Sequence, residues 1–258
     1  MVKISACIVA RNEGRKMRGC LESLKGAVDD IVVVDGKSTD DTVKICREFG
    51  GRVFEREPRS GYGDPDRVFA LAKAKGDWIL VLDADERLSG ELRRNVRKLA
   101  SQNEFAGYMF PRMNYVFSED RWLSHGDEYP DYQVRFYRKD AVKYDTRVHG
   151  RPLVSGKVGV ADYPILHKQA PQTFGDLWKR CLAYAKIAAA QDVGGIPRAL
   201  RPLNGAFWFA WRFAVGFFVR RGFLDGMDGF KVALMHALYA FVTNWYLFWQ
   251  GQGKKVYL

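Results

Sequence analysis

The four cysteines of this 258-residue chain show no C-x-x-C spacing. With Cys7 inside an apolar, strand-like run, the simplest reading is a reducing compartment. No G-x-G-x-x-G follows the first strand-like segment, where VARNEG stands instead, and there is no P-loop. The dinucleotide-binding fingerprint and the Walker phosphate cradle are therefore excluded. The opening MVKISACIVARNEG lacks the long apolar region and small-residue cleavage site of a secretory signal, so the catalytic part is expected to stay in the cytoplasm. Internal repeats and low-complexity tracts are absent. Acids are the scarcer charge, 30 against 41 lysines and arginines, for a formal charge of +11. That excess favours anionic partners: nucleotides, nucleic acid or an anionic membrane face. With 47% hydrophobic and 28% charged residues, the chain has the profile of a globular protein.

What is present is an alternation of strand and helix. KISACIV (3–9) reads as a strand broken by ARNEG, and RKMRGCLESLKG has helical spacing at Met17, Leu21 and Leu24 before a glycine stop. DDIVVVD is a second strand. KSTDDTVKICREFG is a helix capped by Ser38 or Thr39, with acids in its first turn and an end at Gly50. GRVFER, DRVFALAKAKG and DWILVLDAD continue as strand, helix and strand. Strands too apolar to have a wet face describe a mainly parallel sheet covered on both sides by helices, an α/β fold. Ligands of such sheets bind at the carboxyl ends of the strands. Those ends carry Ala10 to Glu13, Asp35, and Asp83 to Asp85.

Beyond residue 101 the pattern loosens. GYMFPRMNYVF, YQVRFYRK and VGVADYPILH read as strands that complete the sheet. After APQTFGDL the chain turns helical and ends in an aromatic tail. GAFWFAWRFAVGFFV (205–219) holds Arg212 as its one charge, and VALMHALYAFVTNWYLFW (232–249) has no acid, lysine or arginine. Both are borderline in length for a bilayer span of about 20 residues. Basic residues (Arg198, Arg201, Arg220, Arg221, Lys231, Lys254, Lys255) punctuate them, and tryptophan and tyrosine are plentiful, which favours helices lying at a membrane interface over core packing or spanning.

WILVLDADERLSG (78–90) runs an apolar strand into Asp83, Asp85 and Glu86. Their mutual repulsion opposes folding unless a cation relieves it. The D-x-D of Asp83 and Asp85 offers hard oxygen ligands suited to Mg²⁺ or Mn²⁺, ions that bridge to phosphate oxygens. A D-x-D alone is common in surface turns; its place at the end of a buried strand gives it weight. Asp35, at the end of the second strand, is placed to accept hydrogen bonds from a base or ribose, its plainer role being helix capping, which suits Asp40 and Asp41 better.

Together CIVARNEG, IVVVDGKSTDDT and GDWILVLDADE resemble glycosyltransferase family 2, whose catalytic domain has the GT-A fold. Through YPDYQVRFYR and RGFLDGMDGF the likeness is to bacterial transferases of lipopolysaccharide core assembly. The resemblance implies an inverting transfer from a nucleotide diphosphate sugar, a UDP-sugar expected, with Mg²⁺ or Mn²⁺, to a saccharide or lipid-linked acceptor. It implies Ala10, Arg11, Glu13 and Asp35 around the nucleoside, Asp83, Ala84 and Asp85 near the ribose, diphosphate and metal, and Arg67 near the diphosphate. Asp64, Pro65 and Asp66 stand where the family has a glutamine and lysine. Asp131 is the expected catalytic base, because an inverting transfer needs a carboxylate to take the acceptor's proton; Asp127 and Glu128 are its rivals. Gln133 and Arg135 share its strand face, with Arg135 able to offset charge on the departing diphosphate. His149 and His167 are possible further metal ligands or acceptor contacts, and Tyr129 and Trp122 possible sugar-stacking rings. The expected organisation is a catalytic domain over 1–170, with a nucleotide-sugar half to about 100 and an acceptor half beyond, then a C-terminal helical appendage over 171–258. Expected partners are the donor, the acceptor and an anionic membrane surface, with no nucleic acid, and the expected location is the inner face of the cell membrane. A metal-dependent nucleotidyltransferase and a nonenzymatic basic module for membrane or RNA are the alternatives.

Overall fold

The apolar run that opens the chain forms β1 (Ile4–Ala10), buried on both faces between two parallel neighbours. A computed structural model describes residues 2–57, 64–144, 152–169, 172–191 and 195–250. The chain divides into two compact units, Met1–Met113 with Asp131–Lys168, and Asn114–Pro130 with Gln169–Leu258. The sequence expects one cut near residue 170; residues 114–130 join the second unit instead, because their polar and apolar partners are supplied by its helices, as described below.

In the first unit the chain runs α1 (Gly14–Leu24), β2 (Asp30–Asp35), α2 (Thr42–Glu48), β3 (Arg52–Glu55), α3 (Asp64–Lys73), β4 (Trp78–Asp83), β5 (Glu86–Leu88), α4 (Gly90–Ala100) and β6 (Gly107–Tyr115). Then come β7 (Asp131–Arg138), β8 (Val142–Tyr144), β9 (Pro152–Val154), β10 (Val158–Val160) and β11 (Ile165–Lys168). The main sheet has the order β3-β2-β1-β4-β7-β6-β11-β5, with β10 beside β6; β8 and β9 form a separate ribbon. β3, β2, β1 and β4 are parallel, and β7 turns the sheet antiparallel at β4.

Alternation along the strands divides the core. Ile4, Ala6, Ile8, Leu80 and Leu82 pack with Met17, Leu21 and Leu24 of α1 and Leu92 and Val96 of α4. Cys7, Val32, Val34, Ile79 and Val81 pack on the other face with Ala70 of α3 and Ala74 beyond it. Trp78 stacks on Phe136 at 4.6 Å between ring centroids, tying β4 to β7. Ser5 is the polar exception inside β1: its hydroxyl donates to Asp30 at 2.7 Å and accepts the Gly76 N–H at 2.7 Å. Satisfied in this way, a buried hydroxyl costs little.

Two expectations change. α2 starts later than a Ser38 or Thr39 cap implies, because Asp40 accepts the Thr42 N–H at 3.0 Å while Ser38 turns back to Asp35. VGVADYPILH is two strands, β10 and β11, split by ADYP. The sequence reading also passes over α4, although Ser89 caps it by accepting the Leu92 N–H at 3.1 Å and Leu92, Val96 and Leu99 follow at helical spacing.

The second unit is built on α5 (Phe174–Gln191), α6 (Arg201–Ala214) and α7 (Gly226–Gln250), with a π-helical turn Val215–Val219 ending α6. The two apolar tail segments have different fates. The 232–249 segment is core: Val232 and Met235 of α7 pack with Leu177 and Cys181 of α5, and Val242 and Tyr246 with Ala185 and Ala189. The 205–219 segment lies against α7, with Gly205 facing Phe241 and Asn244, while Phe207, Trp208, Trp211, Phe218 and Val219 are exposed. Among the described residues, no helix is long and apolar enough to cross a membrane. At the corner between α6 and α7 the backbones meet without side chains between them. A Cβ at Gly229 would fall 1.9 Å from the Gly222 carbonyl oxygen, and one at Gly222 would fall 2.7 Å from that of Gly216.

Candidate active site

Register brings the strand ends level. Ala10 of β1 stands beside Asp35 of β2, and Val9 beside Asp83 of β4. Asp35 is almost fully buried, and its carboxylate accepts from Ser38 through both the backbone N–H (2.8 Å) and the hydroxyl (2.5 Å). The Ser38 hydroxyl in turn accepts the Asn12 N–H at 2.8 Å, and Asn12 Oδ1 accepts the Thr39 N–H at 2.8 Å. Asn12 holds a left-handed φ of 54°, a conformation that its short amide tolerates. The loops after β1 and β2 are thus one hydrogen-bonded ledge. Ala10 is buried at its base, Arg11 is exposed on it beside Gly36, and Glu13 pairs with Lys16 at 3.1 Å.

The three carboxylates of the β4–β5 turn do not share one ion. Asp83 Oδ1 accepts from Arg67 at 2.6 Å and its Oδ2 from Arg135 at 2.7 Å. Burial works against ionisation of Asp83, but the two guanidiniums outweigh it and hold the carboxyl well below the usual range. Asp85 points elsewhere: its Oδ2 lies 3.6 Å from His167 Nε2 and 3.8 Å from Lys16 Nζ. Burial again opposes the charge, and His167 and Lys16 again prevail, lowering the carboxyl. Ala84 between them is buried. Glu86, fully buried, turns inward; its Oε2 accepts the Asp83 N–H at 3.0 Å.

Glu86 Oε1 accepts from Arg135 at 2.6 Å and from Arg112 at 3.3 Å. Arg112 also reaches Asp131 Oδ2 at 2.6 Å, while Gln133 donates to Asp131 Oδ1 at 2.6 Å. A continuous chain therefore runs Arg67, Asp83, Arg135, Glu86, Arg112, Asp131. Burial disfavours the charge on Arg135, and the carboxylates of Glu86 and Asp83 restore it, raising the guanidinium's pKa. Arg135 Nε is buried and donates to no acceptor among the described residues.

The structure brings together Asp83, Asp85, Arg67, Asp131, Gln133, Arg135 and His167 within the first unit, and Ala10, Arg11, Glu13 and Asp35 on its ledge. The rivals of Asp131 are engaged in the second unit, Asp127 with Arg220 and Glu128 with His236. Tyr129 and Trp122 pack edge to face on each other at 4.8 Å. His149 lies outside the described residues. Asp83 and Asp85, expected to hold one cation together, are divided between arginines on one side and His167 with Lys16 on the other. Among the described residues no group of three or more His, Cys, Asp or Glu side chains is arranged to hold a metal ion. Asp85 and His167 fit a divalent cation as a pair, one hard oxygen and one imidazole nitrogen, leaving other positions for ligands from outside the protein.

Sequence reasoning counted Glu86 among the clustered carboxylates without giving it a partner, and passed over Arg112. Both had a signal: a charge in a strand that packs into a sheet needs a partner, and ERL (86–88) carries Glu86 as FPRMNY (110–115) carries Arg112.

The family model described as Glycosyl transferase family 2 matches residues 5–155. The chain belongs to this glycosyltransferase family. A lipopolysaccharide core biosynthesis glycosyltransferase, LpsC of Rhizobium meliloti, is 29% identical over 250 residues, covering 93% of this chain and 90% of its own. An uncharacterized glycosyltransferase of Rickettsia felis is 27% identical over 94% of this chain and 88% of its own. Among solved structures, the mannosyltransferase PcManGT of Pyrobaculum calidifontis, in complex with GDP-Man and Mn²⁺, matches with a TM-score of 0.58 at 13% identity, covering 96% of this chain and 87% of that one. The fold of this family 2 enzyme is GT-A.

Proposed function

We propose that this family 2 glycosyltransferase moves a sugar, with inversion, from a nucleotide diphosphate donor to a saccharide of the lipopolysaccharide-core type carried on a lipid at the cytoplasmic membrane face. The observation that carries the reading is the chain of alternating charge from Arg67 to Asp131, which joins the level strand ends to a carboxylate on β7. The nucleoside lies on the ledge of Ala10, Arg11, Glu13 and Asp35. A UDP-sugar is the expected donor.

Asp131 takes the proton of the acceptor hydroxyl, exchanging its Gln133 or Arg112 contact for that hydrogen bond. The hydroxyl oxygen then forms the bond to the anomeric carbon as the bond to the diphosphate breaks, and the electron pair leaves on the diphosphate oxygen. Arg67 and Arg135 lie where that charge develops, and the unpartnered Arg135 Nε has a donor to give. A divalent cation held by Asp85 and His167 would neutralise the donor's phosphates. PcManGT is in complex with GDP-Man and Mn²⁺, and a nucleotide sugar with a divalent cation is the corresponding expectation for this chain.

Calorimetry and thermal shift with a panel of nucleotide sugars, with and without Mn²⁺, test the reading. The expected result is metal-dependent stabilisation by one nucleotide diphosphate sugar, with nucleoside diphosphate released on transfer. Release of pyrophosphate would indicate nucleotidyl transfer instead.

A further inference from the structure

α6 is amphipathic in an unusual sense: the side away from α7 is apolar and open. Leu203, Phe207 and Trp211, at successive i+4 positions on α6, and Phe218, Val219 and Leu224 at the corner beyond, are each 54–72% exposed. A core helix buries such residues, and a soluble face replaces them with charge. Behind them the corner is firm. Phe213 stacks on Phe217 at 5.4 Å, Phe230 closes edge-on against both at 5.7 and 5.8 Å, and Gly222 and Gly229 are in backbone contact.

Charge identifies what covers this face. Arg212 and Arg221 are exposed around it, and Arg220 is exposed too but paired with Asp127. The two acids of the same stretch are turned inward: Asp225 accepts the backbone N–H groups of Ser124 and His125 at 3.3 and 2.8 Å, and Asp228 pairs with Lys231 at 3.0 Å and with Arg121. Outward there remain aromatic rings, aliphatic side chains and guanidiniums. That combination suits an anionic bilayer, with rings and aliphatics in the acyl boundary and arginines at the headgroups.

We propose that α6, its π-helical turn and the corner leading into α7 form a monotopic wedge that inserts into one leaflet of an anionic membrane, while α7 serves as the wedge's core. This deepens the reading of the acceptor as membrane-borne, and rests on it only for the choice of membrane face.

The full chain is sedimented with vesicles of phosphatidylcholine alone and of phosphatidylcholine mixed with phosphatidylglycerol. Binding to the anionic vesicles is expected, with tryptophan emission shifted to shorter wavelength and quenched by brominated lipid, and part of that quenching removed in Trp208→Phe/Trp211→Phe. Leu203→Gln/Phe207→Gln/Trp211→Gln is expected to weaken vesicle binding at least about tenfold. Nucleotide-sugar affinity of the same variant should be unchanged, and its helical circular dichroism and cooperative melting should match the wild type's, which reports that the second unit folds. Unchanged vesicle binding by this variant would overturn the wedge while leaving a membrane-borne acceptor possible. A dimer by light scattering that becomes monomeric in the variant, without vesicle binding by either protein, would assign the face to a second copy and overturn the proposal. Transfer to a water-soluble acceptor saccharide, measured in parallel, separates failure of the wedge from failure of the catalytic reading.

Discussion

Glu86 and Arg135 form a buried ion pair, 2.6 Å from oxygen to nitrogen, at the middle of the charged chain that runs from Arg67 to Asp131. Arg135 also holds Asp83, and Glu86 also holds Arg112. Removing one partner of such a pair leaves an uncompensated buried charge, so Glu86→Gln should destabilise the fold by about 3–5 kcal/mol. Urea unfolding of the first unit's signals should show a lower midpoint with an unchanged slope; a loss under about 1 kcal/mol would mean that Arg112 and Arg135 are well solvated without Glu86.

Asp83 and Asp85 should fail differently. Asp85→Ala is expected to abolish the Mn²⁺ dependence of donor binding by calorimetry while changing stability less than loss of Asp83, since its contacts with His167 and Lys16, 3.6 and 3.8 Å, are longer than those of Asp83 with Arg67 and Arg135. Donor affinity that still responds to Mn²⁺ in this variant would remove Asp85 from the metal. Asp83→Asn should act on stability, because the native carboxyl is depressed by Arg135 and Arg67. A depressed carboxyl contributes stability above its unfolded pKa of about 3.9 and loses it as pH falls below that value. The variant's stability should therefore fall less steeply than the wild type's between about pH 5 and pH 2.

Asp131→Asn should leave donor binding intact and lower transfer by about 10²–10⁴-fold, since an amide cannot accept the proton. Near-normal turnover in a coupled diphosphate-release assay would pass the base role to another group.

His236 gives the second unit the opposite pH dependence. Burial lowers its pKa, but its contact with Glu128 at 3.3 Å wins and raises it above 6.5. The stability this contact supplies is complete below the unfolded value and is lost as pH rises through the folded one. NMR titration should find the imidazole pKa lower in Glu128→Gln, and the variant's melting temperature should vary less between pH 6 and pH 8. An identical titration in both proteins would show that Glu128 does not set it.

The half of the fold that binds at strand ends was legible because continuous apolar runs such as DIVVVD and WILVLD leave no doubt about a sheet buried on both faces. Asp35, Asp83 and Asp85 were legible as strand-end carboxylates for the same reason. The partners of Asp83 were not. Arg67 comes from α3 and Arg135 from antiparallel β7, and no local pattern announces that a strand 52 residues away returns beside β4. The two aromatic tail segments look alike in composition, yet one is core and one is open. Their difference lies in which helix has neighbours on two sides, a tertiary fact that hydropathy does not carry.

The chain from Arg67 to Asp131 holds three guanidiniums and three carboxylates, and so it is electrically balanced before any ligand arrives. A diphosphate dianion escorted by a divalent cation is balanced as well. Their union exchanges one neutral set for another, so donor affinity should scarcely respond to ionic strength, whereas adhesion through Arg212 and Arg221 should weaken steeply as salt is added. Titrating potassium chloride into an assay with vesicle-borne acceptor should therefore raise the apparent KM for the acceptor and leave that for the donor in place, resolving the two encounters of one turnover by salt alone.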